Sequence, residues 1–432
     1  MSSSKNKYSS QLGAILTMVG VAVGLGNVWR FPYMMGNYGG SAFLLLYLGF
    51  TLVLAFPALL TEMALGKKTG EGTLTAYESL FGNRFGKALG YLFVGVVTIA
   101  GSYYAVVVAN VFFSTGFSIV KGFSNSTTAQ HQELLGNSTL QYGITLLLIV
   151  ISLFVIDKGL KKGIERISKI IMPFFLLVIL YLIIHAWLLP DALTNVKQFL
   201  TPNFDAIGST EVFAALGQAF FSIGLGGTFV IVYSAFIEKE KDIPRIAILT
   251  SLGDLGSSLL VSLFLVPSIL VLGMQMNAGP SLIFNTLPEL FSTLPAGRWI
   301  GSLFLIALSL VAFLSLIAAF QVPIISVVRN KIPTRKLLIA FGILQAILAM
   351  PSAFYPEIIG VLDLIFGSGM QVFGSMLAVI GMWWGSKKGN YTKLLFKNKS
   401  NGFTNAIVFW LRWIVPGTLL VVLIGYIYNS IT

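Results

Sequence analysis

Cysteine is absent from this chain of 432 residues, and histidine occurs only twice, at His131 and His185. The lack of cysteine excludes a disulfide framework and thiol chemistry. Charged residues make up only 10% of the chain, whereas a typical soluble domain carries about 25%. The sequence therefore lacks the clustered catalytic groups of an enzyme, and it has too little charge for a soluble protein.

Long apolar segments fill the chain instead, and 56% of its residues are hydrophobic. A helix needs about 20 apolar residues to cross the hydrocarbon core of a bilayer. Eleven segments are long enough, which predicts an all-α integral membrane protein with eleven spans and no soluble domain. The predicted spans are residues 11–36, 41–66, 88–119, 141–157, 166–188, 212–237, 246–275, 296–328, 336–351, 357–384 and 404–428.

The basic residues predict the orientation in the membrane. Of the 28 Lys and Arg residues, 23 lie before span one or in loops on that same side, while Lys121, Lys197 and Arg298 lie in loops on the other side. The positive-inside rule then places the N-terminus in the cytoplasm and, after eleven spans, the C-terminus outside the cell. The net charge of +12 is thus a topology signal with some attraction to anionic lipid, and no nucleic-acid partner is expected. Both histidines are expected to be solvated or interfacial.

Two spans carry glycines at mid-depth, where they weaken a helix. Residues 20–32 read Gly-Val-Ala-Val-Gly-Leu-Gly-Asn-Val-Trp-Arg-Phe-Pro, and residues 220–228 read Phe-Phe-Ser-Ile-Gly-Leu-Gly-Gly-Thr. These stretches lie five spans apart, and an odd number of spans inverts the second half of the chain relative to the first. Paired interruptions of this kind indicate a secondary transporter with inverted repeats. Close packing of small residues between helices is the alternative.

The same residues resemble the signature of the neurotransmitter:sodium symporters, which have the LeuT fold. The likeness continues in residues 37–43 (Asn-Tyr-Gly-Gly-Ser-Ala-Phe), 162–166 (Lys-Gly-Ile-Glu-Arg) and 217–222 (Gly-Gln-Ala-Phe-Phe-Ser). It implies one transmembrane transporter domain over 1–432 with a 5+5 inverted repeat and broken helices one and six. Repeat one would cover about 11–188, repeat two about 212–384, and the extra span eleven about 404–428, as in bacterial members with eleven spans.

The resemblance implies Na⁺-driven uptake of an amino acid by alternating access, with the site between the two broken helices. By motif position, the substrate carboxylate would meet the amides of Leu25 and Gly26 and the hydroxyl of Tyr104. The ammonium group would meet Ser222 and the carbonyls of Ala22 and Phe221.

The resemblance also implies two sodium sites and an outer gate. The first Na⁺ would be bound by the Ala22 carbonyl, Asn27, Ser222 and a group on span seven. The second would be bound by the carbonyls of Gly20 and Val23 and by span eight between Val311 and Ser315. Arg30 and Asp363 would form the outer gate, with Phe221 as a lid.

Several residues support separate expectations. Asp254 lies inside span seven, where an unpaired carboxylate is costly. We therefore expect it beside the first Na⁺, where its fixed negative charge would remove the need for chloride. The alternative is that Asp254 is a structural carboxyl group. Glu62 is expected to accept N–H groups freed at the break in span six. Of the adjacent Tyr103 and Tyr104, only one is expected to face the site. The small residues that suggest room for a large apolar or aromatic substrate are Ala100, Gly224, Gly227 and Ala319.

Two positions depart from the family pattern. Leu314 stands where the family has a side-chain oxygen for the second sodium, so only Ser315 remains there and that site is in doubt. Arg329 stands where an acid would pair with the basic N-terminal tail, so it would repel Lys5. A sodium-independent exchanger or facilitator on the same scaffold, and a nutrient-sensing receptor, therefore stay open as alternatives. The expected partners are the amino acid and the lipid bilayer, and the oligomeric state is open.

Overall fold

The computed structural model describes residues 7–124, 126–238, 241–274, 281–329, 333–385, 391–392, 395 and 402–431. Within these ranges the regular secondary structure is entirely helical, which confirms the all-α fold class. In the part of the chain that the structure describes, nine helices are long and apolar enough to cross a membrane: Ser41–Thr69, Phe85–Val120, Ser138–Asp157, Gly159–Trp187, Ile243–Val271, Gly297–Val328, Arg335–Phe354, Ile358–Trp384 and Thr404–Gly425. In chain order these are spans two to five and seven to eleven.

Span one is a bent pair of helices, Gln11–Ala22 and Gly26–Asn37, which meet at an angle of 63°. The first helix ends because Val23 is extended, with ψ at 114°. The side chain of Asn27 then accepts a hydrogen bond from the Gly24 amide over 3.0 Å. The predicted break in span one is therefore present.

Span six also consists of two helices, Ser209–Ser222 and Phe229–Ser234, with residues 223–228 unwound between them. Gly224 and Gly227 have φ angles of +72° and +69°, a left-handed conformation that glycine adopts at no steric cost. The glycines thus end the first helix of span six where the sequence predicted an interruption.

Shorter helices connect the spans. Thr73–Phe81 follows span two, Thr127–Leu135 follows span three, and Ala192–Leu200 follows span five. Leu287–Thr293 precedes span eight. They lie outside the predicted spans.

Span three packs lengthwise against span eight. Two side-chain hydrogen bonds join these helices: Thr115 to Ser309 at 2.6 Å and Ser118 to Ser302 at 3.1 Å. Buried side chains fill the remaining contact, including Phe320, whose ring lies against Gly101 of span three. The two broken spans, one and six, pack against this helix pair, which therefore supports their irregular backbone.

Candidate functional site

A cavity of about 150 Å³ lies between the breaks in spans one and six. Ten of the eleven predicted substrate-contacting residues line it: Ala22, Leu25, Gly26, Ala100, Tyr104, Phe221, Ser222, Gly224, Ser315 and Ala319. Spans one, three, six and eight therefore contribute to one pocket. Residues that the sequence interpretation did not name also line it: Met18, Val21, Ile223, Phe229, Val230, Tyr233, Thr250, Gly367 and Gln371.

The break in span one forms one wall of this cavity, and the lack of a side chain at Gly24 lets its neighbours approach. A Cβ atom at Gly24 would lie 3.2 Å from the Ser315 hydroxyl and 3.4 Å from the Tyr104 hydroxyl. Tyr104 also lies next to the Leu25 amide. Unpaired amides at a helix N-terminus favour anionic groups. This wall is therefore suited to a carboxylate.

A buried polar junction adjoins the same break. The Asn27 side-chain amide donates to Asp254 Oδ1 at 2.7 Å and to the Ser258 hydroxyl at 2.8 Å. The Ser222 hydroxyl donates to Asp254 Oδ2 at 2.6 Å. Spans one and seven can come this close because Gly253 has no side chain: a Cβ there would lie 2.6 Å from Val19. Spans one, six and seven thus meet at Asp254.

The junction has the composition of a cation site. Asp254 is fully buried, and in the described part of the chain its carboxylate contacts neutral donors only, from Asn27 and Ser222. A buried negative charge without a positive partner is costly inside a membrane. Carboxylate, hydroxyl and carbonyl oxygens are the ligands that hard cations take. These residues therefore fit a bound cation.

The opposite flank of the span one break is less polar. The Ser315 hydroxyl donates to the Val23 carbonyl at 3.0 Å, which joins span eight to the break. Beside it, a Cβ atom at Gly20 would lie 3.1 Å from the terminal carbon of Leu314, so an apolar side chain fills this flank. Val311 is fully buried one turn away. On this flank, Ser315 is thus the residue of span eight that provides a hydroxyl group.

Charged and aromatic side chains meet at one end of the cavity. The Arg30 guanidinium lies 4.8 Å from the centroid of the Phe221 ring. Asp363 accepts a hydrogen bond from the Tyr103 hydroxyl at 3.1 Å and lies near enough to Arg30 to interact electrostatically. Both Tyr103 and Tyr104 line the cavity. The expectation that only one could face it is wrong, because Tyr104 contacts the span one break while Tyr103 reaches Asp363.

Glu62 stabilises the break in span six. Its Oε1 atom accepts hydrogen bonds from the amides of Gly226 at 3.2 Å and Gly227 at 3.0 Å, which confirms the predicted acceptor role. The prediction that Gly227 lines the cavity wall is wrong. A side chain at Gly227 would instead run into the Tyr77 hydroxyl and the Gly374 carbonyl, because Gly227 faces span ten and the helix after span two rather than the cavity.

The contacts of Arg329 and of the N-terminal segment differ from the expectation. Arg329 forms an ion pair with Glu78 at 2.8 Å, so the helix after span two supplies the acid. Lys7 donates to the Ala235 carbonyl at 2.8 Å, which joins the N-terminal segment to the end of span six. The predicted repulsion involves Lys5, which lies outside the described residues.

His131 is fully buried, so the expectation of a solvated or interfacial side chain is wrong. Its Nε2 atom is 2.9 Å from the Ser114 hydroxyl, and the Phe117 and Phe123 rings lie 5.1 and 5.2 Å away. Burial lowers the pKa of His131 to about 4. The helix Thr127–Leu135 is therefore anchored by an uncharged imidazole.

Known proteins match the chain over nearly its whole length. An uncharacterized sodium-dependent transporter of Methanocaldococcus jannaschii is 30% identical, over 88% of this chain and 82% of that protein. The uncharacterized sodium-dependent transporter YhdH of Bacillus subtilis is 26% identical, over 98% and 97%. The crystal structure of MhsT in complex with L-phenylalanine superposes with a TM-score of 0.87 at 27% identity, covering 98% of this chain and 99% of that chain.

The structural match confirms the LeuT fold that the sequence resemblance implied, and sodium-dependent transporters rather than enzymes are the relatives found. The family description "Sodium:neurotransmitter symporter family" matches residues 5–133 and 120–430. The chain therefore belongs to the sodium:neurotransmitter symporter family.

Proposed function

We propose that this chain imports an amino acid with a large apolar or aromatic side chain in symport with Na⁺, by alternating access. The observation that carries the proposal is the junction of Asp254 with Asn27 and Ser222 beside the cavity. It offers a cation a buried carboxylate at the point where two broken helices meet. The cavity next to this junction contains groups that can bind both charged ends of a zwitterionic substrate.

The main chain of the substrate would bind between the two breaks. Its carboxylate would face the amides of Leu25 and Gly26 and the Tyr104 hydroxyl. Its ammonium group would face Ser222 and the carbonyls of Ala22 and Phe221, at the other side of the same cavity. Because Gly24 brings no acidic side chain, an amine without a carboxylate of its own would leave the amides of span one unpaired.

The first Na⁺ would be bound by Asp254, Asn27, Ser222 and the Ala22 carbonyl. The carboxylate would neutralise the cation by itself, so we expect no requirement for chloride. The second Na⁺ would depend on the carbonyls of Gly20 and Val23, on Val311 and on Ser315. We expect it to bind weakly, because the apolar Leu314 side chain packs against Gly20.

The size of the cavity supports a large side chain. A cavity of about 150 Å³ can hold a benzene-sized group, and the small residues Ala100, Gly224 and Ala319 are among those that line this one. MhsT, the structural relative, is described in complex with L-phenylalanine. The bovine relative B(0)AT2, 28% identical over 62% of this chain and 41% of its own length, is named a neutral amino acid transporter.

Alternating access would use gates at the two ends of the cavity. Arg30, Phe221 and Asp363 would close the outer end. In the proposed orientation, in the plasma membrane, the N-terminus is cytoplasmic and the C-terminus is outside, so the Arg329–Glu78 pair lies on the cytoplasmic side. Repeat one, over about 11–188, and repeat two, over about 212–384, would each contribute one broken helix. Whether one or more chains form the unit stays open.

A sodium-independent exchanger or facilitator is the second candidate, and Leu314 favours it. An apolar residue beside Gly20 removes one ligand from a site that drives transport in the proposed scheme. This alternative still leaves the buried charge of Asp254 without a partner, so we favour symport.

Counterflow in proteoliposomes separates the two candidates. Labelled phenylalanine should accumulate with an inward Na⁺ gradient, and accumulation should stop when K⁺ or choline replaces Na⁺. Exchange that continues unchanged without Na⁺ would favour the exchanger. Competition by the twenty amino acids then tests the substrate class: glycine or alanine outcompeting phenylalanine, tryptophan, tyrosine and leucine would contradict it.

An Ala319→Phe variant tests the volume argument. The new ring would occupy the open part of the cavity, so preference should shift from phenylalanine towards alanine by about tenfold, as expected for loss of one to two buried methylenes. Ala318→Phe is the matched control, since Ala318 is the buried neighbour on the same helix and is not among the cavity-lining residues. If Ala319→Phe leaves the preference unchanged, the side chain binds elsewhere.

A further inference from the structure

Arg412 lies within span eleven, remote from the cavity. Its guanidinium carbon is 5.6 Å from the ring centroids of both Trp384 and Trp413. The two indole rings meet edge to face, with centroids 4.5 Å apart. In the described part of the chain, no carboxylate contacts Arg412, and its buried Nε atom has no hydrogen-bond partner.

The position of Trp384 locates this cluster at a membrane surface. Trp384 is the last residue of span ten, and its indole N–H donates to the Arg412 carbonyl over 2.7 Å. Arg412 is therefore level with the end of span ten. Tyr391, which follows span ten in the chain, lies beside the end of span two, because the Lys68 ammonium is 3.8 Å from the Tyr391 ring. The cluster thus belongs to the membrane face on the side of the N-terminus.

The cluster is open to lipid. The side chains of Trp384 and Trp413 are 48% and 49% exposed, and tryptophan favours the headgroup level of a bilayer. The indole N–H of Trp384 is already used by the Arg412 carbonyl, so the guanidinium is the charged donor that the cluster has for a lipid. A guanidinium presents paired N–H groups that match the oxygens of a phosphate.

We infer that Arg412, Trp384 and Trp413 bind the headgroup of an anionic phospholipid in the leaflet on the side of the N-terminus. The guanidinium would meet the phosphate, and the two indole rings would contact the glycerol and the first methylenes of the acyl chains. Zwitterionic lipid would compete poorly, because its choline group would carry a second positive charge to Arg412.

Brominated lipids test this site, because bromine quenches nearby tryptophan fluorescence. The full chain would be placed in nanodiscs with equal small mole fractions of brominated phosphatidylglycerol or brominated phosphatidylcholine. The fluorescence that comes from the cluster is the part that is lost in a Trp384→Phe, Trp413→Phe double variant, and its quenching is compared between the two lipids. We expect phosphatidylglycerol to be enriched there about fivefold, the effect of one basic residue at a membrane surface, and this quenching excess should disappear in Arg412→Gln.

Lys158→Gln is the matched control, since its ammonium lies 4.5 Å from the Phe154 ring and it also removes one aromatic-paired cation near a helix end. It should keep the excess. Equal quenching by the two lipids in the unchanged protein, or an excess that persists in Arg412→Gln, would overturn the inference. If Arg412→Gln does not fold, Arg412→Lys gives the answer: it should retain part of the excess, and an excess equal to wild type would contradict a paired guanidinium contact. Inorganic phosphate should not reduce the quenching, and reduction would point to a free anion instead of a lipid.

Discussion

The two regions expected to bind sodium flank the same break in span one, yet they are built from opposite kinds of side chain. On one flank Asp254 is bonded to Asn27 and Ser222. On the other flank Ser315 bonds to the Val23 carbonyl, and Leu314 packs against Gly20. The backbone contribution is similar in kind on both flanks, so the difference lies in the side chains of spans seven and eight.

This difference assigns the two flanks unequal roles in the proposed cycle. A fixed carboxylate attracts a cation strongly in a water-poor site, where charges interact more than they do in water. Carbonyls and one hydroxyl offer dipoles without net charge. The affinity of a site for a hard cation follows the number and charge of its ligands. We therefore expect the Asp254 flank to dominate sodium dependence, and four changes test that expectation.

The largest effect is expected from Asp254→Asn, which keeps the shape of the side chain and removes its charge. In chloride-free buffer, the Na⁺ concentration for half-maximal uptake should rise about a hundredfold, equivalent to about 2.7 kcal/mol. Added chloride should restore part of the lost affinity by returning a negative charge. Uptake of labelled substrate against Na⁺ concentration measures both effects.

Ser257→Ala is the control for this change, because Ser257 lies on the same helix and its hydroxyl, among the residues that the structure describes, bonds to the Gly253 carbonyl alone. It should behave like the unchanged protein. Wild-type ion dependence in Asp254→Asn would mean that Asp254 is a structural carboxyl group, and the two flanks would then be alike.

The next largest effect concerns the support of span six, which holds Ser222 beside Asp254. Glu62→Leu would leave the amides of Gly226 and Gly227 unpaired, and each buried unpaired N–H costs about 1–3 kcal/mol. We expect a loss of about 2 kcal/mol in stability, since part of the cost is relieved by relaxation, together with loss of transport. Thermal unfolding of the purified protein measures the first effect.

Glu62→Gln keeps an oxygen at the same place and should retain most of the stability. If Glu62→Leu unfolds at the temperature of the unchanged protein, Glu62 does not stabilise the break. If Glu62→Leu transports normally, the Asp254 flank does not depend on the shape of span six.

A smaller, opposite effect is expected from Leu314→Thr, which adds an oxygen to the apolar flank. Uptake should then need about fivefold less Na⁺, equivalent to about 1 kcal/mol, because the second site gains a ligand. Leu308→Thr is the control, since it makes the same replacement at a buried position on the same helix. A higher Na⁺ requirement in Leu314→Thr would show that the flank serves packing alone.

The smallest effect should come from His131, which is remote from both flanks. Its pKa falls from the ordinary value of about 6.5 to about 4 in the folded protein. Between these values the unfolded chain binds more protons, so stability should decrease as the pH falls from 6.5 towards 4. His131→Gln should reduce this decrease without changing sodium dependence. Unfolding temperatures across this pH range measure it, and an unchanged pH profile would assign the loss to other groups.

The sequence predicts the broken helices and the Glu62 contact because both follow from local rules. Glycines and Asn27 weaken a helix wherever they stand, and a carboxylate within a span must meet donors. The Gly227 prediction was wrong because Gly227 packs against Tyr77 and Gly374, which are far from it in the sequence. Gly224 has a similar left-handed backbone and does line the cavity, so the glycine pattern alone does not give the direction that each glycine faces.

Contacts between distant residues account for the other differences. Arg329 pairs with Glu78, which lies 251 positions away in the chain. The sequence around the N-terminal tail could therefore not predict which acidic residue pairs with Arg329. His131 is buried by Phe123 and by Phe117 of span three, and that packing depends on the course of the loop between spans three and four. Thr250 also reaches the cavity through such packing, because the way span seven packs against the other spans determines which of its residues face the cavity.

Binding of labelled phenylalanine to the purified protein, titrated with Na⁺ in chloride-free buffer, tests the central claim most directly. The account predicts saturable binding of phenylalanine that requires Na⁺ and needs no chloride. In Asp254→Asn, the Na⁺ concentrations that saturate binding to the unchanged protein should no longer increase binding. Binding that is equally strong when K⁺ or choline replaces Na⁺, in a protein whose Asp254→Asn variant behaves identically, would contradict it.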